Sequence, residues 1–275
     1  MNYRHHFHAG NFADLVKHAG LLALLQAMSG AAKPLTVIDT HAGAGLYDLQ
    51  GEMARKSGEA EAGIARLMQD ATATAAFRPL KAAVAKANRG GALRFYPGSP
   101  WLTVDALRTG DRLIACELRE EDGRALKKHL PATKAAVEVV IGDGFATAAE
   151  RTPGKGAALV LIDPPFERAD DYARVQRCVG AVLRRNPQAV VMVWVPLKDL
   201  ETFDSLLRGI EALDPPPVLV AEVRLRPLRD PMRMNGCALL FINAPEGLEP
   251  PLREACGWVV GAVGEPGGES RSWRL

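Results

Sequence analysis

The chain lacks most of the features that would settle its class at a glance. Aromatic residues are only 6% of its 275 positions and the formal net charge is +2, so no overall basic excess announces a nucleic-acid partner. The four cysteines, Cys116, Cys178, Cys237 and Cys256, are far apart with no Cys-x-x-Cys pair. That excludes a disulfide framework or a cysteine zinc site and leaves reduced, buried thiols. No apolar run approaches the ~18 residues of a membrane span. The longest, residues 189–195, has the length of a buried strand. Glycine (26) and proline (19) fall well short of a low-complexity share. Disorder, fibre and integral membrane protein are therefore excluded. What is left, 48% hydrophobic and 24% charged, is an ordinary globular mixture long enough for one domain with an insertion. Arg4 and Lys17 ahead of an apolar stretch loosely imitate a leader, but Asp14 interrupts it, and the expected location is the cytoplasm.

Charge is local. His5, His6, His8 and His18 share the first twenty residues with Arg4 and Lys17, while Arg224, Arg226, Arg229 and Arg233 fall within ten residues against one acid, Asp230. Arg184 and Arg185 form a third small cluster. Such patches are ordinarily solvated faces, and they gain meaning only beside a site.

From residue 35 onward, short Val/Ile/Leu runs at 35–39, 113–117, 137–141, 158–163, 189–195, 218–226 and 238–243 alternate with helical patterns at 120–129, 171–184 and 199–213. Continuous apolar runs are expected where a strand is covered on both faces, and the alternation predicts an α/β fold with a mostly parallel, seven-stranded sheet. Ligands bind beyond the carboxyl ends of such strands, so the polar residues there matter most. Residues 11–28 read as a helix before the first strand. Between the first two strand ends, Asp39 and Glu117, lies more chain than the ~30 residues of a plain βαβ unit. The surplus has helical periodicity at Ile64, Leu67 and Met68, which predicts a helical insertion over 47–94 within a domain of 1–46 and 95–275.

The first strand ends in Asp39-Thr40-His41-Ala42-Gly43-Ala44-Gly45, a glycine turn suited to close ligand approach but short of a full G-x-G-x-x-G. Glu117 ends the second strand, where an acid accepts from ribose hydroxyls of a nicotinamide cofactor or of S-adenosylmethionine, or simply meets solvent. Gly142-Asp143-Gly144-Phe145 follows the third strand, either a turn or an adenine contact with Phe145 against the ring. Ser99-Pro100 suits a helix N-cap followed by Pro at the first helical position, or a contact with a cofactor. The His5-His6-Phe7-His8 run does not predict a metal site, because adjacent residues point apart and no cysteine or acid pair completes a set.

Asp163-Pro164-Pro165-Phe166, after a buried run, is the sharpest motif. The prolines fix φ and donate no N–H, holding a carboxylate beside rigid carbonyls. An exocyclic amine on a purine is a poor nucleophile because its lone pair is delocalised. Accepting its hydrogens turns the nitrogen toward tetrahedral geometry, and an aromatic ring at Phe166 holds the plane of a flipped base. Asp163 then takes the proton released by the methylated nitrogen. Asp214-Pro215-Pro216-Pro217 shares the letters but follows a helical pattern and lacks the aromatic residue, so it reads as a turn. Asp163, Pro164 and Phe166 are the expected catalytic set.

With these residues assembled, the chain resembles the bacterial 23S ribosomal RNA adenine-N6 methyltransferases of the RlmJ type. The resemblance runs through Tyr3-Arg4-His5-x-Phe7-His8-Ala9-Gly10-Asn11-x-Ala13-Asp14-x-x-Lys17-His18, the glycine turn after Asp39, Tyr96-Pro97-Gly98-Ser99-Pro100 and the Asp163 motif, in that order. It implies a Rossmann-like class I methyltransferase fold, S-adenosylmethionine as donor with S-adenosylhomocysteine as product, no metal, and an adenine of 23S ribosomal RNA as acceptor. By position, His18, His41, Gly43, Ser99, Glu117, Asp143, Gly144 and Asp163 would line the cofactor site. Tyr3 would meet the RNA, with His5 and Lys17 ordering the N-terminal arm. Phe166 departs from the Tyr common in amino-methyltransferases; stacking survives the change and a phenol hydrogen bond does not. The RNA is expected free or in an early assembly particle, and the enzyme as a monomer without a membrane partner. A DNA adenine or protein glutamine methyltransferase is the nearest alternative. A nicotinamide-dependent dehydrogenase gives the Asp163 motif no task, and a non-catalytic RNA-binding protein is the remaining reading.

Overall fold

The computed structural model describes residues 5–30, 33–230 and 232–275; Tyr3 lies outside the described residues. Ten strands occur among them: β1 (Leu35–Asp39), β2 (Leu46–Asp48), β3 (Phe95–Pro97), β4 (Arg112–Glu117), β5 (Ala136–Ile141), β6 (Ala157–Ile162), β7 (Val190–Leu197), β8 (Val218–Arg224), β9 (Gly236–Ile242) and β10 (Glu269–Arg274). The helices are α1 (Phe12–Ser29), α2 (Glu52–Ser57), α3 (Arg66–Gln69), α4 (Arg78–Ala87), α5 (Ser99–Ala106), α6 (Glu120–His129), α7 (Gly144–Arg151), α8 (Asp171–Arg185), α9 (Leu200–Glu211) and α10 (Glu249–Val263).

The main sheet runs β10-β8-β9-β7-β6-β1-β4-β5. Strands β5, β4, β1, β6 and β7 are parallel, and β9 turns antiparallel between β7 and β8. The continuous apolar runs are explained by two cores. Val37, Leu159, Leu161, Met192 and Phe241 point to a core shared with α1, α5 and α10, while Ile38, Val160, Ile162, Val193 and Leu240 point to one shared with α7, α8 and α9. Asn11 caps α1, its side chain accepting from the Asp14 N–H at 2.9 Å. Pro250 and Pro251 stand in the first turn of α10, where a missing N–H does no harm.

Seven strands were expected in this sheet and eight are present. The addition, β10, pairs antiparallel with β8 at the edge. Its sequence is polar, and a carboxylate holds it: Glu222 on β8, fully buried, accepts from Arg271 at 3.0 Å and Trp273 at 2.7 Å on β10 and from Arg224 at 2.8 Å. A second small sheet was also not anticipated. Strands β2 and β3 pair antiparallel and bring together the ends of the segment carrying α2, α3 and α4. That segment packs on α1 and α10. The Ile64 N–H donates to the Gly10 carbonyl at 2.8 Å, and the Trp258 indole donates to Asp70 at 2.7 Å.

Glu222→Ala is expected to lower stability by about 3 kcal/mol, the low end for a buried ion pair losing one partner, because Arg271 is half exposed and rehydrates. Urea unfolding checks this; a loss indistinguishable from zero would contradict it.

Candidate active site

The five parallel strands end at a hollow of about 300 Å³. It lies at the switch in strand order, where β1 is flanked by β4 on one side and β6 on the other, the position at which open α/β sheets bind ligands. Its walls come from the turns after β1, β4, β5, β6 and β7, from α1 and from the N-terminal turn.

On the β6 side, Asp163 and Pro164 line the hollow. Lys17 donates to Asp163 Oδ2 at 2.7 Å and lies 2.9 Å from Asp14 Oδ1. Asp14 Oδ2 in turn meets the His5 ring at 3.0 Å and accepts the Gly10 N–H at 2.9 Å. Burial opposes charge on both Lys17 and Asp14, but the opposite charges outweigh it. Lys17 is held well above the usual lysine range by Asp14 and Asp163, and Asp14 well below the usual carboxylate range by His5 and Lys17.

Phe166 does not line the hollow. Its φ of 50° turns the ring into the core behind β6, 4.6 Å from Tyr172 and 6.1 Å from Trp194 between centroids. The two preceding prolines fix their own φ, so the chain makes its turn at Phe166. Trp194, from β7, is the aromatic side chain on this wall.

The remaining expected cofactor residues come together on the same hollow. His18, His41, Gly43, Ser99, Glu117, Asp143 and Gly144 all line the hollow. Glu117 accepts from the Gly43 N–H at 2.9 Å and the Arg119 N–H at 2.8 Å, with burial raising its pKa against those bonds. Gly43 has φ 62°, and a Cβ there would fall 2.1 Å from the Tyr47 hydroxyl, so any side chain at this turn is strained and displaces Tyr47. At Gly144 a Cβ would meet the Thr40 carbonyl at 1.9 Å, which packs the β5 turn directly on the β1 turn. Asp143 caps α7, accepting from Phe145 at 2.9 Å and Ala146 at 3.2 Å, and also pairs with Arg174 at 2.5 Å. Arg174 lies 4.5 Å over the Phe145 ring. The Gly-Asp-Gly segment is thus a helix start and not a free turn.

Ser99 is not an N-cap. Gly98 occupies that position, and the Ser99 hydroxyl donates to Asp39 Oδ2 at 2.7 Å. Asp39 is fully buried, and desolvation, with Asp163 nearby, pushes it up to about 7 against the bond from Ser99. Burial likewise pushes His18 down to about 3 and His41 down to about 4, so both rings are neutral at pH 7. His18 Nδ1 shares a 2.6 Å hydrogen bond with the Tyr96 hydroxyl, while its Nε2 is buried without a partner among the described residues. A buried ring nitrogen beside a ligand-sized hollow is open to a hydrogen bond from whatever fills it, water or ligand.

Asp14, Asp39, Tyr47, Arg174 and Trp194 were not anticipated as site residues. Two of these had a readable signal: Asp14 by its i,i+3 spacing to Lys17 on a helix, and Asp39 by its place at the end of the first strand. No group of three or more His, Cys, Asp or Glu placed to hold a metal occurs among the described residues, and no described helix is long and apolar enough to cross a membrane.

A parallel sheet with an antiparallel reversal at β9, a glycine turn after β1, acids after β4 and β5 and an Asp-Pro-Pro turn after β6 define a Rossmann-like class I methyltransferase. The family model described as ribosomal RNA large subunit methyltransferase D, RlmJ, matches residues 32–275. The chain belongs to this family. It is 33% identical over 260 residues to ribosomal RNA large subunit methyltransferase J of Escherichia coli strain K12, spanning 94% of this chain and 92% of that protein. With the Haemophilus influenzae protein of the same name the identity is 32% over 92% of this chain and 91% of the other. The crystal structure of protein LPL1258 from Legionella pneumophila superposes with a TM-score of 0.89 at 28% identity, covering 97% of this chain and 98% of that one.

The buried titrating groups predict a pH signature. A carboxyl that holds its proton to about 7 when folded, against 3.8 unfolded, withdraws stability as pH rises through that window. His18 and His41, more easily protonated when unfolded, act in the opposite sense between their lowered values, about 3 and about 4, and 6.5. Asp39→Asn removes only the first effect. Its stability relative to the unsubstituted protein is expected to grow from about pH 4 to about pH 7 and then level off. Tm measured across a pH series checks this, and a difference independent of pH would contradict it.

Proposed function

We propose that this protein transfers a methyl group from S-adenosylmethionine to the exocyclic N6 amine of one adenine in 23S ribosomal RNA. The observation that carries this reading is Asp163 at the end of β6, clamped by buried Lys17 on one oxygen and facing a hollow at the switch point of the sheet. The relatives' shared name supplies the large-subunit RNA.

The residues fit the cofactor. The unpartnered Nε2 of His18, the close-packed glycine turns at Gly43 and Gly144, and the acids Glu117 and Asp143 form a ligand cradle. With His41 and Ser99, they would hold it. When bound there, S-adenosylmethionine supplies a methyl carbon made electrophilic by its sulfonium and leaves as S-adenosylhomocysteine.

The chain's own residues prepare the acceptor. Lys17 engages Oδ2 of Asp163, and Oδ1 accepts no hydrogen bond among the described residues, which leaves it to receive an N6 hydrogen. Pro164 and Pro165 supply no N–H to compete, so a second N6 hydrogen meets a carbonyl of the rigid turn. Losing conjugation to the ring, the nitrogen presents its lone pair, forms the new N–C bond and releases a proton to Asp163. The aromatic surface available to the base is Trp194; Phe166 would reach it only by turning out of its pocket. Tyr3, outside the described residues, and His5 are assigned to the RNA side, the latter fastened through Asp14 to Lys17.

We read residues 47–94 as a helical subdomain inserted in a methyltransferase domain of 1–46 and 95–275. We take the enzyme to act as a monomer, and four free, buried thiols suit the reducing cytoplasm. RNA free of ribosomal proteins, or in an early assembly particle, is the expected substrate.

Mapping N6-methyladenine in ribosomal RNA from cells with and without the gene tests this reading. One adenine is expected to lose its methyl group without the gene and regain it with the unsubstituted gene. Asp163→Asn should lower transfer at least ~10²-fold while S-adenosylhomocysteine still raises Tm. Near-normal turnover by that variant, or transfer to duplex DNA or a protein glutamine in preference to RNA, would refute the assignment.

A further inference from the structure

One wall of the hollow has no task in the chemistry above. Between β8 and β9 the chain forms a loop whose last part reaches the hollow, where Met234 lies beside Pro196 and Lys198 from the end of β7. Asn235, fully buried, clamps its base. The Asn235 N–H donates to the Leu197 carbonyl at 3.0 Å, and Nδ2 donates to the carbonyls of Lys198 at 3.0 Å and Asp230 at 2.7 Å. Asp230 folds the tip, its Oδ1 accepting the Met232 N–H at 3.0 Å and its carbonyl the Arg233 N–H at 3.2 Å.

A turn that directs its polar groups inward displays what remains. Here that is Met232, 90% exposed and the most exposed large apolar side chain among the described residues. Arg229 and Arg233 flank it in sequence, and Asp230 is the loop's one acid. Arg229 and Lys198 have no ion-pair partner among the described residues, and Arg233 meets only Glu265, at 3.8 Å. A lone surface methionine is ordinary. One carried on a pinned turn, between cations and two residues from the wall of the hollow, is placed to meet nucleic acid.

We infer that this loop enters the RNA beside the target adenine, with Met232 filling the place in the stack that the base vacates and Arg229, Arg233 and Lys198 contacting the flanking phosphates. Enzymes that modify a base within a helix extract it first, and apolar side chains, methionine among them, serve as wedges between base steps. The thioether is unbranched and polarizable, so it conforms to the faces on either side. This inference rests on the reading of the hollow as an adenine site.

Two short RNA duplexes carrying the mapped adenine test it, one fully paired and one with the opposing nucleotide abasic, so that extraction is already eased. On the paired RNA, Met232→Ala is expected to lower kcat/KM at least ~10-fold, against less than about twofold on the abasic RNA, with Met232→Leu near the unsubstituted rate. Arg229→Ala and Lys198→Ala should each reduce the salt dependence of RNA binding by about one phosphate contact. Equal rates for Met232→Ala and the unsubstituted protein on both RNAs, or equal losses on both, would overturn the wedge alone. An unsubstituted protein that methylates neither RNA would overturn the adenine reading as well.

Discussion

Lys17 lies between two carboxylates, and the arrangement of the active site hangs on that contact. A buried ammonium with no counter-charge sheds its proton; one placed 2.9 Å from Asp14 and 2.7 Å from Asp163 keeps it. The bond to Asp163 crosses 146 residues of sequence and ties α1 to the end of β6. Asp14 extends the tie to the His5 ring and to the Gly10 backbone, so the N-terminal turn, the first helix and the Asp-Pro-Pro turn form one hydrogen-bonded chain. Buried ion pairs of this kind add little net stability over an apolar packing, but breaking one strands a charge. Their effect here is to fix a geometry, with one carboxylate oxygen bound and the other left to the hollow.

The surrounding groups are tuned by the same burial with different results. At His18 and His41 burial outweighs the pull of nearby carboxylates and keeps the rings neutral, whereas at Asp39, with another acid nearby, the same burial pushes the carboxyl upward. Seven carboxyl side chains line the hollow against five lysine and arginine side chains. A hollow with this balance favours a cationic ligand, and the sulfonium of S-adenosylmethionine is one.

The parts of the fold that were legible in sequence are those whose burial is symmetrical. β1, β6 and β7 read as continuous apolar runs because both faces are covered, and α6 and α8 because one face is. β10 was not legible: Glu-Ser-Arg-Ser-Trp-Arg has no apolar alternation, and its place is set by Glu222, whose partners meet only after the sheet has formed. β2 and β3 are three residues each with the helical segment between them, so neither offers a pattern. The site follows the same division. Asp163, Glu117 and the glycine turn stand at strand ends, where position alone gives them meaning. The Asp14–Lys17 pair is local and readable, while the second partner of Lys17 comes from a strand most of a domain away. Ser99 shows how a local rule is displaced, since its hydroxyl satisfies a buried carboxylate and leaves the cap to Gly98.

Phe166 marks the limit of motif reading in another way. An aromatic residue after Asp-Pro-Pro suggests a stacking face, but two prolines remove the freedom to turn earlier, and the left-handed conformation falls on a residue with a side chain. That conformation costs about 1–2 kcal/mol, and burial of the ring against Tyr172 and Trp194 offsets it. The ring then supports the loop from behind, and the half-buried Trp194 of β7 is the aromatic side chain that lines this wall of the hollow. A side chain on a strand paired on both sides is held more rigidly than one on a loop. The Asp163 carboxylate, held by Lys17 from α1, and the Trp194 ring, carried by β7, are therefore positioned by two different elements on the same wall of the hollow.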